Sequence, residues 1–325
     1  DAWRIDDTPE GRAKVGAQHV EDPFGRTSVS DYRCGLVAVI GRPNVGKSTL
    51  INAVMGRKVS IVTAKPQTTR HRILAVHTSP DAQIIFVDTP GLHRKAGKAM
   101  NRLMNRTAAN ALADADVILF VTDATHWMPE DDDVLKRLRS IQAPVVAVLN
   151  KVDKVHPKEQ LLDTIGLMSA RHDFAEIVPV SALKQDNLDH LVTMLPSFLP
   201  KSPPLFPEDM HTDRSKEFHA AEVIREKLTL MLHQELPYGL TVQVERFLDE
   251  ESGITINAII WVERDSQKGI VVGKNGSVLK KVGRAARLEI KDQLERNVHL
   301  ELWVKVKSNW ADNEADLMNL GYEAP

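Results

Sequence analysis

Over the first two-thirds of the chain, short unbroken apolar runs alternate with stretches whose apolar residues recur every three or four positions. GLVAVIG, RILAVHT, AQIIFVD, DVILFVT, PVVAVLN and AEIVPVS read as strands, several of them apolar throughout, as in strands buried on both faces. Between them, MNRLMNRTAANAL, DDDVLKRLRSI, KEQLLDTIGLMSA and NLDHLVTMLPSFL carry helical spacing. This alternation predicts a doubly wound α/β domain with a mainly parallel sheet over residues 32–199. Residues 1–31 are polar, weakly acidic and aperiodic, and are expected to form a flexible extension.

The pattern breaks at LPKSPPLFPED, where four prolines between Pro200 and Pro207 predict a linker over residues 200–214. The order then changes. A helix over about 215–234 precedes two strands, LTVQVERFLDE and GITINAIIWVE. A glycine loop, a long helix over about 277–296 and the strand VHLELWVKVKS follow. Residues 215–310 therefore read as an α+β domain, with 311–325 left as a C-terminal tail.

Bulk composition adds little and excludes some classes. A chain of 325 residues, 42% hydrophobic and 26% charged, is an ordinary two-domain globular composition. Its net charge of −2 names no partner, yet between Val262 and Trp310 eleven Lys/Arg face six Asp/Glu, a locally basic region. The single cysteine, Cys34, excludes an internal disulfide. No apolar run approaches the roughly 20 residues of a membrane span, and no secretory leader pattern is visible. A soluble, cytoplasmic protein is expected, with peripheral membrane contact left open.

The first candidate chemistry is GRPNVGKST, Gly41 to Thr49, which follows a predicted strand and opens a predicted helix. That is the setting of a P-loop. The stretch Gly41, Arg42, Pro43, Asn44, Val45, Gly46 would wrap a polyphosphate with inward amides. Lys47 would bridge the β- and γ-phosphates, and Ser48 would ligate Mg²⁺ at the start of the helix, with Thr49 beside it. NKVD follows another buried strand. Ionised Asp153 can accept from both N1–H and the exocyclic amine of guanine, a donor pair adenine lacks, so GTP is favoured over ATP. Asn150 would fix loop and base, and the stem of Lys151 would lie over the base plane. Ser181, Ala182 and Leu183, in SALK, would add backbone contacts to guanine.

DTPG comprises Asp88, Thr89, Pro90 and Gly91. Asp88 would hold the Mg²⁺ shell, and the Gly91 amide would meet the γ-phosphate and lose it on hydrolysis. In QTTRH, Thr69 is the first choice to close over Mg²⁺ and γ-phosphate, with Thr68 an alternative. Lys47, Thr69 and Gly91 are thus the expected catalytic positions. Small GTPases that place a glutamine after this glycine use it to orient the attacking water, whereas Leu92 can neither donate nor accept. Slow unaided turnover is expected. Asn44 is a candidate to coordinate a monovalent cation such as K⁺.

The second glycine loop, Gly273, Lys274, Asn275, Gly276, has no G-K-[ST] and no acidic metal partner. A G-x-x-G between two helical segments in an αββααβ order is the KH arrangement, which clamps a single-stranded nucleic-acid backbone. Lys280, Arg284, Arg287 and Lys291 recur at 4, 3 and 4 residues, forming one basic stripe on the following helix. On the last strand Leu300, Leu302, Val304 and Val306 point one way. Trp303, Lys305 and Lys307 point the other, and Lys305 is included among the RNA-contacting residues.

GRPNVGKST, QTTRHR, DTPGLH, NKVD and SALK, followed by VVGKNG and VHLELWVKVKSNW, resemble the Era family of bacterial GTPases over residues 32–322. The resemblance implies a type II KH domain, binding of 16S ribosomal RNA near its 3′ end and assistance to 30S subunit assembly. It also implies coupling of GTP state to RNA binding, and association of some of the protein with the inner membrane. Family members carry a hydrophobic residue in place of the glutamine, as Leu92 does. A monomer is expected. Residues 1–31 have no counterpart in the family pattern, and their acidic character favours a bacterial over a mitochondrial relative. Two rivals are a GTPase of transfer-RNA modification and an RNA-binding assembly factor for which GTP is only a structural ligand.

Overall fold

A computed structural model describes residues 31–91, 98–232 and 236–322. Six strands, β1 (Arg33–Ile40), β2 (Ile73–Thr78), β3 (Ala82–Asp88), β4 (Val117–Asp123), β5 (Val145–Asn150) and β6 (Glu176–Pro179), form one sheet in the order β2-β3-β1-β4-β5-β6. Every pairing is parallel except β2 with β3, which face each other antiparallel. Five helices cover it: α1 (Lys47–Met55), α2 (Ala99–Ala113), α3 (Pro129–Leu138), α4 (Gln160–Ser169) and α5 (Leu188–Met194). The apolar runs are explained by their two faces. Val37 and Val39 pack with Leu50, Ile51 and Leu191, while the alternate Ala38 and Ile40 pack with Val134, Leu138 and Met168. Each such Val, Leu, Ile or Met side chain taken fully from water contributes about 1.5–3 kcal/mol. Pro196 divides the expected helix over 187–199, and residues Leu195–Phe198 tighten into a 3₁₀ turn.

The second domain is built from α6 (Lys216–Met231), β7 (Leu240–Glu250), β8 (Gly253–Val262), α7 (Asp265–Val272), α8 (Ser277–Leu294) and β9 (Val298–Val306). Its sheet runs β7-β8-β9, with β8 antiparallel to β7 and parallel to β9. Ser215 caps α6, its hydroxyl accepting from the Phe218 amide. The helices cover the inner sheet face, where Ile256, Ala258 and Ile260 meet Val223, Val282 and Ala286.

Two segments behave differently from their sequence. The proline-rich stretch is a strap rather than a free tether. The Leu205 and Phe206 amides donate to Gln83 Oε1 (2.8 and 2.9 Å), the Val76 amide donates to His211 O (3.0 Å), and the Leu74 amide donates to Asp213 Oδ1 (2.9 Å). The described part of the expected tail, 311–322, is packed. After a turn at Trp310–Asp312, α9 (Glu314–Asn319) leads to Tyr322, and Trp310, Leu317 and Tyr322 bury against Ala99, Met100, Leu103 and Met104 on α2. Isolated large apolar residues between polar neighbours carried no periodic signal, so sequence spacing left this docking invisible. Among the described residues no helix is long and apolar enough to cross a membrane.

Candidate functional site

The loops at the C-terminal ends of β1, β3, β5 and β6 meet at one edge of the first sheet, where open α/β sheets bind ligands. They enclose a cavity of about 460 Å³. Gly46, at φ 102°, stands just before α1, and the Asn150 amide nitrogen occupies the place its Cβ would take. Lys47 is buried, and its Nζ donates to Gly41 O (3.1 Å) and Arg42 O (3.2 Å). Burial pushes its ammonium down to about 8.

Beneath Lys47 lies the candidate metal site. Ser48 Oγ donates to Asp88 Oδ2 (2.8 Å) and stands 2.9 Å from Thr69 Oγ1. Asp88 is fully buried, its Oδ1 has no hydrogen-bond partner, and burial holds its carboxyl above the usual carboxylate range. A buried carboxylate with an orphan oxygen and two adjacent hydroxyls fits a hard divalent cation such as Mg²⁺. The geometry also separates the two threonines. Thr68 Oγ1 turns away to Thr63 Oγ1 (2.6 Å) and Lys65 O (2.7 Å), leaving Thr69 at the metal end.

At the base end Asn150 is a bracket. Its Nδ2 donates to Val45 O (2.8 Å), and its Oδ1 accepts from the Lys151 and Ala182 amides (2.8 and 3.0 Å). Ser181 Oγ donates to Asp153 Oδ1 (2.6 Å), fixing that carboxylate toward the cavity wall. Lys151 Nζ donates to Asp123 Oδ2 (2.7 Å) and Asn44 O (2.7 Å). The Asn44 amide nitrogen donates to Ala64 O (2.8 Å).

Of the expected residues, Pro43, Asn44, Gly46, Lys47, Ser48, Thr49, Thr69, Gly91, Asn150, Lys151, Asp153, Ala182 and Leu183 line the cavity. Gly41, Arg42, Val45, Asp88, Thr89, Pro90 and Ser181 stand behind them. The Arg42 guanidinium is turned aside to Asp131 (3.0 Å), and the Thr89 hydroxyl donates to Val39 O (2.9 Å). Leu92 lies outside the described residues. Sequence reasoning missed Asp123 and Asp131, which tie down Lys151 and Arg42. It also missed residues 61–65 and Gln67, which wall the cavity. An acidic residue ending a buried strand was the available signal for Asp123.

The wall from Ile61 to Arg70 is also a domain junction. Arg70 is 3% exposed, and its guanidinium donates to Leu240 O (2.7 Å) and Pro237 O (2.9 Å) in the second domain. Arg225 on α6 donates to Thr68 O, Lys65 to Leu232 O, and the Val62 amide to Glu226 Oε1 (2.9 Å). Lys58 pairs with Glu226 on α6 (2.6 Å) and with Glu289 on α8. His71 stacks on Tyr322 with centroids 4.4 Å apart.

In the second domain, α7 and α8 are joined by the second glycine loop. Gly273, Asn275 and Gly276 take φ of 71°, 52° and 75°, and a Cβ on Gly273 would come within 2.5 Å of Val278 Cγ2. Lys274, Lys280, Arg284 and Lys291 are exposed and Arg287 half-buried, so the stripe begins at the loop. Lys305 is elsewhere. It lies on the sheet face opposite the helices, 3.6 Å from Glu245 on β7 and 5.8 Å from the Trp261 ring centroid, so the structure does not bring it to Gly273–Gly276. Strand alternation gave its face correctly, but not which face the loop shares.

A GTPase family described as 50S ribosome-binding matches residues 36–151, and the KH domain family matches residues 235–311. GTPase Era of Yersinia pestis (strain Pestoides F) is 49% identical over 297 residues, 91% of this chain and 98% of that protein. The chain belongs to the Era GTPases. Era of Yersinia pseudotuberculosis serotype O:1b gives the same identity and coverage. A crystal structure of Era with MgGDPNP and nucleotides 1506–1542 of 16S ribosomal RNA is 41% identical, covering 90% of this chain and 99% of that one with a TM-score of 0.86. An Aquifex aeolicus Era variant bound to GDP·AlF4⁻ is 40% identical over 89% of this chain and 99% of its own, with a TM-score of 0.85. As an Era GTPase the chain hydrolyses GTP to GDP and phosphate, with the first domain as its nucleotide site and the second as its KH domain.

Proposed function

We propose that this chain is a Mg²⁺-dependent GTP switch that binds 16S ribosomal RNA near its 3′ end and assists assembly of the 30S subunit. Nucleotide state is coupled to RNA grip through residues 58–71. The observation that carries the coupling is Arg70. It follows the metal-side Thr69 directly, yet its guanidinium is buried among second-domain carbonyls. Any shift of Thr69 that tracks the γ-phosphate must move Arg70 or break those bonds. Lys58 extends the linkage to Glu289 on α8, the helix bearing the basic stripe.

The residues divide the work plainly. P-loop amides and Lys47 hold phosphate, and Asp153 selects guanine while Ser181 fixes its carboxylate. Ser48, Thr69 and Asp88 would hold the metal. When bound, Mg²⁺ supplies charge neutralisation for the β- and γ-phosphate oxygens. Lys274 and the stripe Lys280, Arg284 and Arg287 take the RNA backbone, while the glycines allow close approach. With its nitrogen committed to Ala64 O, Asn44 would meet K⁺ through Oδ1.

Binding of a 16S 3′-end RNA in the presence of a GTP analogue and of GDP tests the coupling. Lys58→Ala and Arg70→Ala should shrink the ratio of the two affinities toward one. An unchanged ratio in both variants would refute this route. The structural-ligand alternative predicts that a variant that still binds GTP but no longer hydrolyses it matures small subunits as the wild type does. We place the protein in the cytoplasm as a monomer. Its membrane association is proposed as peripheral, and sedimentation with washed inner membranes tests it.

A further inference from the structure

Hydrolysis by this chain needs a group that orients water, because the position that small GTPases fill with glutamine is Leu92. We propose that Gln67 is that group. It is catalytic in the strict sense, its carboxamide oxygen touching the attacking water. Three observations converge on it. Gln67 lines the cavity together with Lys47, Thr69 and Gly91, the residues expected around the γ-phosphate. Its backbone is left-handed, with φ 60°, a conformation disfavoured for a residue with a Cβ and concentrated at functional sites. Its side chain is aimed rather than loose, since Nε2 donates to Asn101 Oδ1 on α2 at 3.3 Å. With the nitrogen used as donor, Oε1 is the acceptor end, and an attacking water needs an acceptor for one of its protons.

The other polar side chains on this wall are engaged elsewhere. Thr63 and Thr68 bond each other at 2.6 Å, and the Lys65 ammonium is drawn to Leu232 O. The residues flanking Gln67 are fastened to the KH domain, Lys65 to Leu232 O and Thr68 O to Arg225, so RNA at that domain would reset its aim. In the step itself the water oxygen bonds to the γ-phosphorus. The bond to the β,γ-bridging oxygen breaks with its electron pair leaving on GDP, and the water proton passes to the released phosphate. Gln67 changes neither charge nor bonding. It holds the water in line.

The proposal rests on the GTPase activity, and wild-type turnover is therefore the control. Failure of the wild type to hydrolyse GTP would strike that activity, not Gln67. Gln67→Ala should lower the single-turnover rate on the order of 100-fold, with GTP and GDP affinities unchanged. It should also abolish trapping of GDP with fluoroaluminate, a readout independent of turnover. Gln67→Glu restores an acceptor, and its rate should rise with pH as the carboxylate ionises. A wild-type rate in Gln67→Ala, a matching loss of nucleotide affinity, or retained trapping would each overturn the assignment. If Gln67→Ala does not fold, Gln67→Glu decides alone, and a wild-type pH profile there overturns it.

Discussion

Phosphate capture by Lys47 should titrate in an accessible range. A free lysine side chain ionises at 10.5, but burial beside the P-loop carbonyls brings Lys47 to about 8. That depression corresponds to about 3 kcal/mol of cost in keeping the ammonium charged before phosphate arrives. Bound phosphate reverses the cost, so binding takes up a proton once the pH exceeds the free-state value. With a free-state value of about 8, the protonated fraction falls from about 0.9 at pH 7 to about 0.09 at pH 9. GDP affinity should therefore drop about tenfold across those two units, whereas a lysine at 10.5 would change it by only about 3%. Fluorescence titration with a labelled GDP at constant ionic strength and fixed Mg²⁺ measures this directly. Lys47→Arg, charged throughout, should flatten the profile at whatever affinity it retains. A wild-type profile flat between pH 7 and pH 9 would refute the burial argument.

Arg70→Ala leaves two buried carbonyls, Pro237 O and Leu240 O, without their donor, and should cost about 2–4 kcal/mol in denaturant unfolding. Burial holds the His71 imidazole at about 4, below its ordinary 6.5, so the unfolded chain binds the extra proton first. The stability tied to neutral His71 is thus complete above about pH 6.5 and is lost as the pH falls toward 4, by up to about 3 kcal/mol. His71→Phe should remove that part of the acid dependence in urea melts run from pH 7 to pH 4.5. Lys274→Glu with Arg284→Glu should weaken single-stranded RNA binding and make the log–log salt slope shallower by about 1.5, read by fluorescence anisotropy at several salt concentrations.

The Rossmann-like half of the fold was legible because strands such as AQIIFVD are buried on both faces, which imposes unbroken apolar runs. The residues that gather at the cavity were legible for another reason. Phosphate, metal and guanine each demand a particular side chain at a fixed offset from a strand end. Where chemistry left two equivalent hydroxyls, as at Thr68 and Thr69, the loop conformation sets Thr69 beside Ser48 and turns Thr68 to Lys65 O, and no local pattern encodes that. Arg70 reads as a surface cation in any window of sequence, because its partners lie about 170 positions away. Lys305 shows the complementary failure. Alternation along β9 sorts residues between two faces, but only the path of α7 and α8 says which face carries the glycine loop. Trp310, Leu317 and Tyr322 lacked periodicity because they fill a seam between domains and form no stripe of their own.

The strap over 200–214 has one more effect. Strand β2 is an outer strand of its sheet, and a bare outer strand invites pairing with another molecule. His211 and Asp213 occupy the amides of Val76 and Leu74, and Thr212 bridges Ala75, so this border is already closed from within. A shortened or swapped connector would uncover it, and such a variant is expected to form intermolecular β-structure on storage even with its guanine site intact.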